Sequence, residues 1–176
     1  MFKMEITTPL REKDLLKLKA GDKVSLTGEI ITLRDATHKR IIEYLRDEKE
    51  PPFDFKGKVV YYCGPTPAPP GRVIGACGPT TSARMDMYTL PLLNLGIKGM
   101  IGKGRRNEKI REWAKEFKVV YFVTVGGAGA YLSQFVKDKE LLLFPELGPE
   151  AVWKLKVERF PLWVAIDTEG RSIFTW

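Results

Sequence analysis

The chain has 176 residues, of which 44% are hydrophobic and 29% are charged. This balance excludes an intrinsically disordered chain and is typical of one globular domain, which we assign to residues 1–176. The net charge is +7, from 29 lysines and arginines against 22 acidic residues. Because lysines and acidic residues are mixed along the charged stretches, we expect solvated faces rather than a nucleic-acid surface.

Cysteine content and hydropathy constrain the compartment. Cys63 and Cys77 are the only cysteines, too few for a disulfide framework, so a reduced, cytoplasmic protein is expected. Apolar runs are all shorter than the ~18 residues that a membrane span needs. The start of the chain has no apolar run followed by a cleavage site, and no signal peptide is expected.

The first half of the chain is predicted to contain three strands and one helix. Residues 23–35 predict a strand or a bent pair of strands, and residues 36–50 predict a short helix that stops at two prolines. The stretches "KVVYYC" and "RVIGAC" predict two buried strands. The proline-rich linker between them, residues 63–72, is not expected to form regular structure.

The middle of the chain is predicted to alternate between helices and strands. Residues 84–96 predict a helix that Pro91 interrupts, and residues 107–117 predict a second helix with Asn107 as its N-cap. Each of the two glycine turns, "GKG" and "GGAG", is expected to follow a short strand.

The tail from Ala151 onward predicts two or three strands with a turn at Glu169 and Gly170. Strands therefore cluster at both ends of the chain and alternate with helices in the middle. This order predicts an α/β fold with a mixed sheet layered with helices, rather than a doubly wound parallel sheet.

The stretch "ACGPTTSARMD", residues 76–86, places two hydroxyls and a guanidinium where a strand is predicted to become a helix. Thr80 or Thr81 is expected to cap that helix, whose N-terminus favours an anion. Arg84 follows Thr80 by four residues and Thr81 by three, so helical spacing would place either hydroxyl beside it. An arginine binds a carboxylate through two parallel hydrogen bonds. The spacing fits a carboxylate site and a capped helix with a surface arginine equally well.

Other polar residues give weaker signals. Lys103 lies on a glycine turn, which fits either an anion site or a plain turn. The sequence does not match a P-loop, because Ile97 stands where the motif needs its first glycine and Gly104 where it needs Ser or Thr. Arg34 ends a predicted strand, and His38, the only histidine, lies in or near the next helix. The cysteine and histidine spacing builds no metal site and no nucleophile–base set.

Five stretches together carry a family resemblance: "GPTTSARMD", "LRDATHKR", "GKG", "GGAGA" and "VWKLKVERFPLWVAIDTEG". They resemble the β subunit of the class I iron–sulfur fumarate hydratases and L(+)-tartrate dehydratases, from about Ile6 to the end of the chain. The first stretch is the most specific. "GGAGA" departs from the usual Gly-Gly-Ala-Ala-Ala, which we interpret as a change of packing and not of substrate.

The resemblance implies a swivelling β/β/α domain and a hydro-lyase that interconverts fumarate and (S)-malate. It also implies a partner α subunit that carries a [4Fe-4S] cluster on three cysteines, so no metal ligand is expected in this chain. We expect a hetero-oligomer, and a dimer of this chain alone stays open.

The resemblance also implies roles for individual residues. Carried over by motif, Thr80 would be the catalytic base, and its activating partner is expected on the α subunit because a threonine hydroxyl is a poor base. The residues implied to bind the dicarboxylate are Arg34, Thr81, Arg84 and Lys103. Asp86 and His38 also match motif positions, and support rather than chemistry is expected of them.

Two other functions stay open at this level. An L(+)-tartrate dehydratase, which forms oxaloacetate, needs the same groups to bind its substrate. A basic module that binds nucleic acid or protein is the alternative from another class. Such a nucleic-acid module would bind with an affinity that falls steeply with salt and would respond weakly to dicarboxylates.

Overall fold

The computed structural model describes residues 1–175, which form a mixed sheet with helices packed against it. The strands are β1 (Met4–Thr7), β2 (Lys23–Thr32), β3 (Val59–Tyr61), β4 (Gly99–Gly102), β5 (Val120–Val123), β6 (Val136–Leu143) and β7 (Val152–Ile166). The α-helices are α1 (Glu12–Leu15), α2 (Asp35–Arg46), α3 (Asp86–Asn94), α4 (Lys109–Phe117) and α5 (Gly129–Leu132). Short 3₁₀ turns lie at Ser82–Met85, Ser133–Phe135 and Pro145–Glu150. The predicted mixed sheet layered with helices is confirmed.

Strand pairing closes part of the sheet on itself. The strand order is β1-β2-β3-β4-β5-β7-β6, and β2 pairs additionally with β7. Strands β1 to β5 pair in parallel with their neighbours, whereas β7 runs antiparallel to β2, β5 and β6. As a result, β2, β3, β4, β5 and β7 form a closed ring. None of the helices within residues 1–175 has the length and apolar character needed to cross a bilayer.

The parallel ring strands β3, β4 and β5 are largely buried on both faces. Tyr61 and Phe122 belong to one hydrophobic cluster, whereas their neighbours Val60 and Tyr121 belong to a second. All five ring strands contribute side chains to the first cluster, which therefore fills the ring, and α2, α3 and α4 contribute to the second. Because alternate side chains of β3 and β5 enter different clusters, these two strands are apolar throughout their length, whereas β2 and β7 also carry charged residues.

The predicted strand at residues 72–77 is wrong. This segment stays outside the sheet because its backbone bonds go to loops: the Cys77 N–H donates to the Gly129 carbonyl (3.2 Å), and the Thr66 N–H donates to the Ala76 carbonyl (2.9 Å). The segment therefore joins the proline-rich linker to the glycine turn after β5.

The tail and α3 also differ from the prediction. The tail forms one strand, β7, rather than two or three, because a bulge near Arg159 (φ 53°) bends the strand without ending its pairing with β2. Helix α3 continues through Pro91. Burial of Leu92 and Leu93 in the second cluster offsets the single backbone hydrogen bond that a proline removes.

His38 lies inside α2 with 1% of its surface exposed. Its ring centroid lies 5.7 Å from that of Tyr62 and 5.5 Å from that of Tyr88. Nδ1 lies 2.7 Å from the Arg34 carbonyl oxygen and therefore carries the proton, whereas Nε2 has no hydrogen-bond partner. Burial lowers the pKa of His38 to about 4, although the bond to the Arg34 carbonyl opposes that shift.

This burial predicts a specific pH dependence of stability. Between about pH 4 and pH 6.5 the unfolded chain binds a proton on His38 that the folded chain does not, so stability falls as the pH falls through this window. Urea unfolding of the purified chain should show a loss of roughly 1.5 kcal/mol between pH 6.5 and pH 5. His38→Gln should flatten this slope, whatever its effect on stability at pH 7. An unchanged slope in the variant would show that His38 titrates normally.

Candidate active site

Three loops meet at the carboxyl ends of the parallel strands β3, β4 and β5. The Thr80 N–H donates to the carbonyl of Tyr62, the residue after β3 (2.7 Å). Thr81 pairs as a parallel β-bridge with Lys103, the residue after β4. Gly126 follows β5, and a Cβ there would lie 3.3 Å from Lys103 Cδ, so the lysine side chain crosses that turn. Residues far apart in sequence therefore meet at the carboxyl ends of these strands, the active-site edge of the sheet.

Arg84 connects a hydroxyl to a carboxylate within this edge. Its Nη2 donates to Thr80 Oγ1 (2.8 Å), which confirms the predicted proximity of these two side chains. Its Nε and Nη2 donate to the two oxygens of Asp35 (3.1 and 3.4 Å). Partial burial raises the pKa of Asp35, but the hydrogen bond and charge of Arg84 outweigh this, so the pKa lies below its usual value. Asp35 is thus a carboxylate that holds one edge of the guanidinium.

The predicted helix cap is wrong for both threonines. Thr81 precedes a 3₁₀ turn, and its side chain makes no capping hydrogen bond. The α-helix itself begins only at Asp86. Ser82 bonds to the neighbouring turn instead, where its Oγ accepts from the Lys103 N–H (3.0 Å). The hydroxyl of Thr80 is thus held by Arg84, and no α-helix N-terminus lies at Thr80 or Thr81.

Arg34 reaches the same edge from the end of β2. A Cβ at Gly64 would lie 3.0 Å from Arg34 Cδ, so a larger residue here would require the arginine side chain to shift by a few tenths of an ångström. The guanidinium lies 3.7 Å from a carboxylate oxygen of Asp35 and 3.7 Å from one of Glu150. Its Nε is buried without a hydrogen-bond partner. An unpartnered buried donor at a carboxylate-rich edge has capacity for one more acceptor.

Asp86 and His38 lie behind the edge. Asp86 accepts from Arg106 Nε (2.6 Å) and from the Asn107 N–H (2.8 Å), so its carboxylate is used within the protein. His38 contacts the edge only through the carbonyl of Arg34. These contacts agree with the expectation of support, which stays a prediction.

Sequence reasoning missed Asp35, Glu150 and Arg106. Asp35 had a local signal, since it follows Arg34 at the end of a strand, but its partner Arg84 lies 49 residues away. Glu150 and Arg106 had no signal, because they reach their partners only through the tertiary fold.

The glycine turn after β5 packs against the loop that leads to Thr80 and Thr81. A Cβ at Gly129 would lie 3.0 Å from the backbone nitrogen of Gly78 and 3.1 Å from Cβ of Ala76. An alanine here would require the two loops to separate by a few tenths of an ångström. The geometry agrees with the interpretation of this glycine as a change of packing.

The residues of this chain do not fit an iron–sulfur cluster. Within residues 1–175 no three His, Cys, Asp or Glu side chains are grouped as metal ligands would be. Burial raises the pKa of Cys63 well above its usual value and that of Cys77 to about 12. Both thiols lie buried in the first hydrophobic cluster.

Comparison with known proteins identifies the family. The profile described as "Fumarase C-terminus" matches residues 1–176. A Methanocaldococcus jannaschii protein, provisionally named as an L(+)-tartrate dehydratase subunit beta, is 40% identical over 97% of this chain and 91% of its own length. The L(+)-tartrate dehydratase subunit beta of Escherichia coli is 34% identical over 98% of this chain and 87% of its own.

Longer relatives match through one part of their length. The anaerobic class I fumarate hydratase of Escherichia coli is 35% identical over 98% of this chain, which spans 32% of that enzyme. Its aerobic counterpart is 34% identical, with the same coverage. The chain therefore belongs to the fumarase C-terminus family.

Proposed function

We propose that this chain is the β subunit of a hydro-lyase that interconverts fumarate and (S)-malate by reversible hydration. The observation that carries this proposal is the convergence of Thr80, Thr81, Arg84, Lys103 and Arg34 at one edge of the sheet. Hydroxyls beside several cations suit a small dicarboxylate. The class I fumarate hydratases among the relatives support the choice of reaction.

The three cations supply carboxylate binding in this proposal. Nε and Nη2 of Arg84 donate to Asp35 and Thr80, which leaves Nη1 for a substrate carboxylate. Arg34 has a buried donor without a partner, and Lys103 adds a point charge. Removing a proton beside a carboxylate builds negative charge on that group. Fixed cations stabilise this charge more in the transition state than in the ground state.

Thr80 is the proposed base for the proton at substrate C3. Because Arg84 donates to Thr80 Oγ1, negative charge on that oxygen is stabilised, and the hydroxyl proton is free to point elsewhere. A threonine hydroxyl is still a poor base at neutral pH, so a proton acceptor from another chain is required. Thr81, in the bridge to Lys103, is proposed to orient a substrate carboxylate.

The proposal requires a partner α subunit. The side chains of Arg84 and Asp35 are 46% and 38% exposed, so water reaches the edge freely in this chain. Electrostatic catalysis is far stronger where water is excluded. We propose that the α subunit covers the edge, supplies the proton acceptor and carries the [4Fe-4S] cluster, which the residues of this chain do not fit.

L(+)-tartrate dehydratase is the second candidate. The similarity to two proteins named as its β subunit extends over 91% and 87% of their lengths, whereas the fumarate hydratases are matched over about a third. Tartrate offers the same two carboxylates to Arg34, Arg84 and Lys103. Turnover of fumarate against L(+)-tartrate by the assembled enzyme decides between the two.

The purified chain is expected to be folded, colourless and inactive with fumarate, malate and tartrate. Its two large hydrophobic clusters support folding. Residues 1–175 contain no group of side chains that could ligate the iron–sulfur cluster. Adding its α subunit should restore turnover. A stable iron–sulfur cluster with turnover after reconstituting this chain alone would contradict the proposal.

Arg84→Lys is expected to lower kcat/KM of the assembled enzyme by roughly 10- to 100-fold, because lysine cannot make paired hydrogen bonds to a carboxylate. The matched control is Arg11→Lys, which changes another arginine paired with an aspartate (Arg11 to Asp14, 2.9 Å) at the opposite edge of the sheet. Steady-state kinetics of both variants make the test. Near-normal kcat/KM for Arg84→Lys would mean a surface arginine without a substrate role.

Thr80→Ala and Thr81→Ala are expected to act on different kinetic constants. If Thr80 moves the proton, its loss should reduce kcat by roughly 10²- to 10⁴-fold with a smaller effect on KM. Loss of Thr81 should act mainly on KM, as lost uniform binding does. Neither side chain caps a helix, so both variants should melt near the wild-type temperature. Comparable kcat in Thr80→Ala, with exchange of the C3 proton intact, would remove Thr80 from the base role.

A further inference from the structure

Arg106 is a buried cation directly beneath the proposed active site. Its side chain is fully buried, and each of its nitrogens is used. Nε donates to Asp86 Oδ1 (2.6 Å), Nη2 to Thr89 Oγ1 (2.9 Å), and Nη1 to the Tyr62 hydroxyl (3.1 Å). A cation in the interior is costly unless it is paired and fully bonded, and Arg106 meets both conditions.

The partners of Arg106 connect the segments that carry Thr80, Arg84 and Lys103. Asp86 and Thr89 lie on α3, which follows the segment of Thr80 and Arg84. Tyr62 follows β3, and its backbone carbonyl accepts from the Thr80 N–H. Arg106 itself lies three residues after Lys103.

Tyr121 of β5 extends this arrangement to the third strand. The Arg106 guanidinium lies 5.0 Å from the ring centroid of Tyr121 and 5.2 Å from that of Tyr62. The Tyr121 hydroxyl lies 2.9 Å from Ser82 Oγ and donates to the Gly104 carbonyl (2.8 Å). The turn of residues 102–106 is therefore fixed at both ends.

We infer that Arg106 is a positioning residue that holds the Lys103 turn against the segment bearing Thr80 and Arg84. A guanidinium is needed because three rigidly placed donors meet three acceptors, two on α3 and one directly after β3. A lysine would keep the charge beside Asp86 but could not reach all three acceptors at once. The importance of Lys103 for substrate rests on the proposed function, whereas the fixing of its turn does not.

The first test measures amide hydrogen exchange in the purified chain, which needs no partner or substrate. Arg106→Lys should accelerate exchange at Ser82, Lys103 and Asn107 by at least about tenfold, because these amides bond across the joined elements. Amides of β5 should exchange at the wild-type rate. Wild-type exchange at all three sites would overturn the inference.

The matched control is Asp167→Asn, which weakens another ion pair whose carboxylate is fully buried. Asp167 is fully buried, pairs with Arg171 (2.8 Å) and lies at the opposite end of the sheet. This variant should lower the melting temperature without changing exchange at Lys103. If both variants accelerated amide exchange at Lys103 equally, Arg106 would stabilise the fold in general and would not position this turn.

Two milder variants cover the case in which Arg106→Lys does not fold. Tyr62→Phe and Thr89→Val each remove one acceptor of Arg106 and keep the shape of the side chain. Each should accelerate exchange at Lys103 to a smaller extent. Wild-type exchange in both would overturn the inference.

Kinetics of the assembled enzyme supply the second readout. Arg106→Lys should lower kcat/KM by about 100-fold, the loss that a displacement of about 1 Å can produce, with part of it in KM. Asp167→Asn should keep the wild-type KM, and a wild-type KM and kcat in Arg106→Lys would overturn the inference. If the assembled wild-type enzyme turned over none of fumarate, malate and tartrate, the proposed function would fail, and hydrogen exchange would still decide the role of Arg106.

Discussion

The pairing of β7 with both β2 and β5 is the constraint on which the rest of the molecule depends. This pairing closes five strands into a ring. It also supplies hydrogen-bond partners to the sides of β2 and β5 that would otherwise be unpaired. Within that ring β3, β4 and β5 run in parallel, so their carboxyl ends lie side by side. These ends carry three segments of the site: the loop with Thr80 and Thr81, the turn with Lys103 and the glycine turn at Gly126. The proposed active site is thus a consequence of the sheet topology.

The fold was predictable where a local pattern determined it. The runs of β3 and β5 are apolar because both faces of each strand are buried, and both strands were recognised. Residues 72–77 are similarly apolar yet lie in a loop, because the places beside β3 are taken by β2 and β4. Sequence alone does not reveal which strands compete for a partner. The same limit applies to β7, whose bulge is a feature of its pairing with β2.

Predictability within the site followed sequence separation. The spacing of Thr80 and Arg84 predicted their proximity, although the contact spans the extended residue Thr81 and a 3₁₀ turn rather than a turn of α-helix. The other contacts of Arg84 and those of Arg34 join segments that only the fold brings together. Asp35 was overlooked because a carboxylate beside an arginine is common on surfaces. Arg106 was overlooked because two adjacent arginines after a glycine turn do not show which of them is buried.

The buried state of His38 has a consequence for how the chain attracts an anion. Because the only histidine stays neutral down to about pH 4, the histidine adds no charge to the net +7 when the surroundings become mildly acidic. His38 therefore contributes nothing to any change in the electrostatic field of the chain between pH 7 and pH 5.5. Any change over that range in the long-range attraction of an anion must originate in other titratable groups, in the anion itself or in a partner chain.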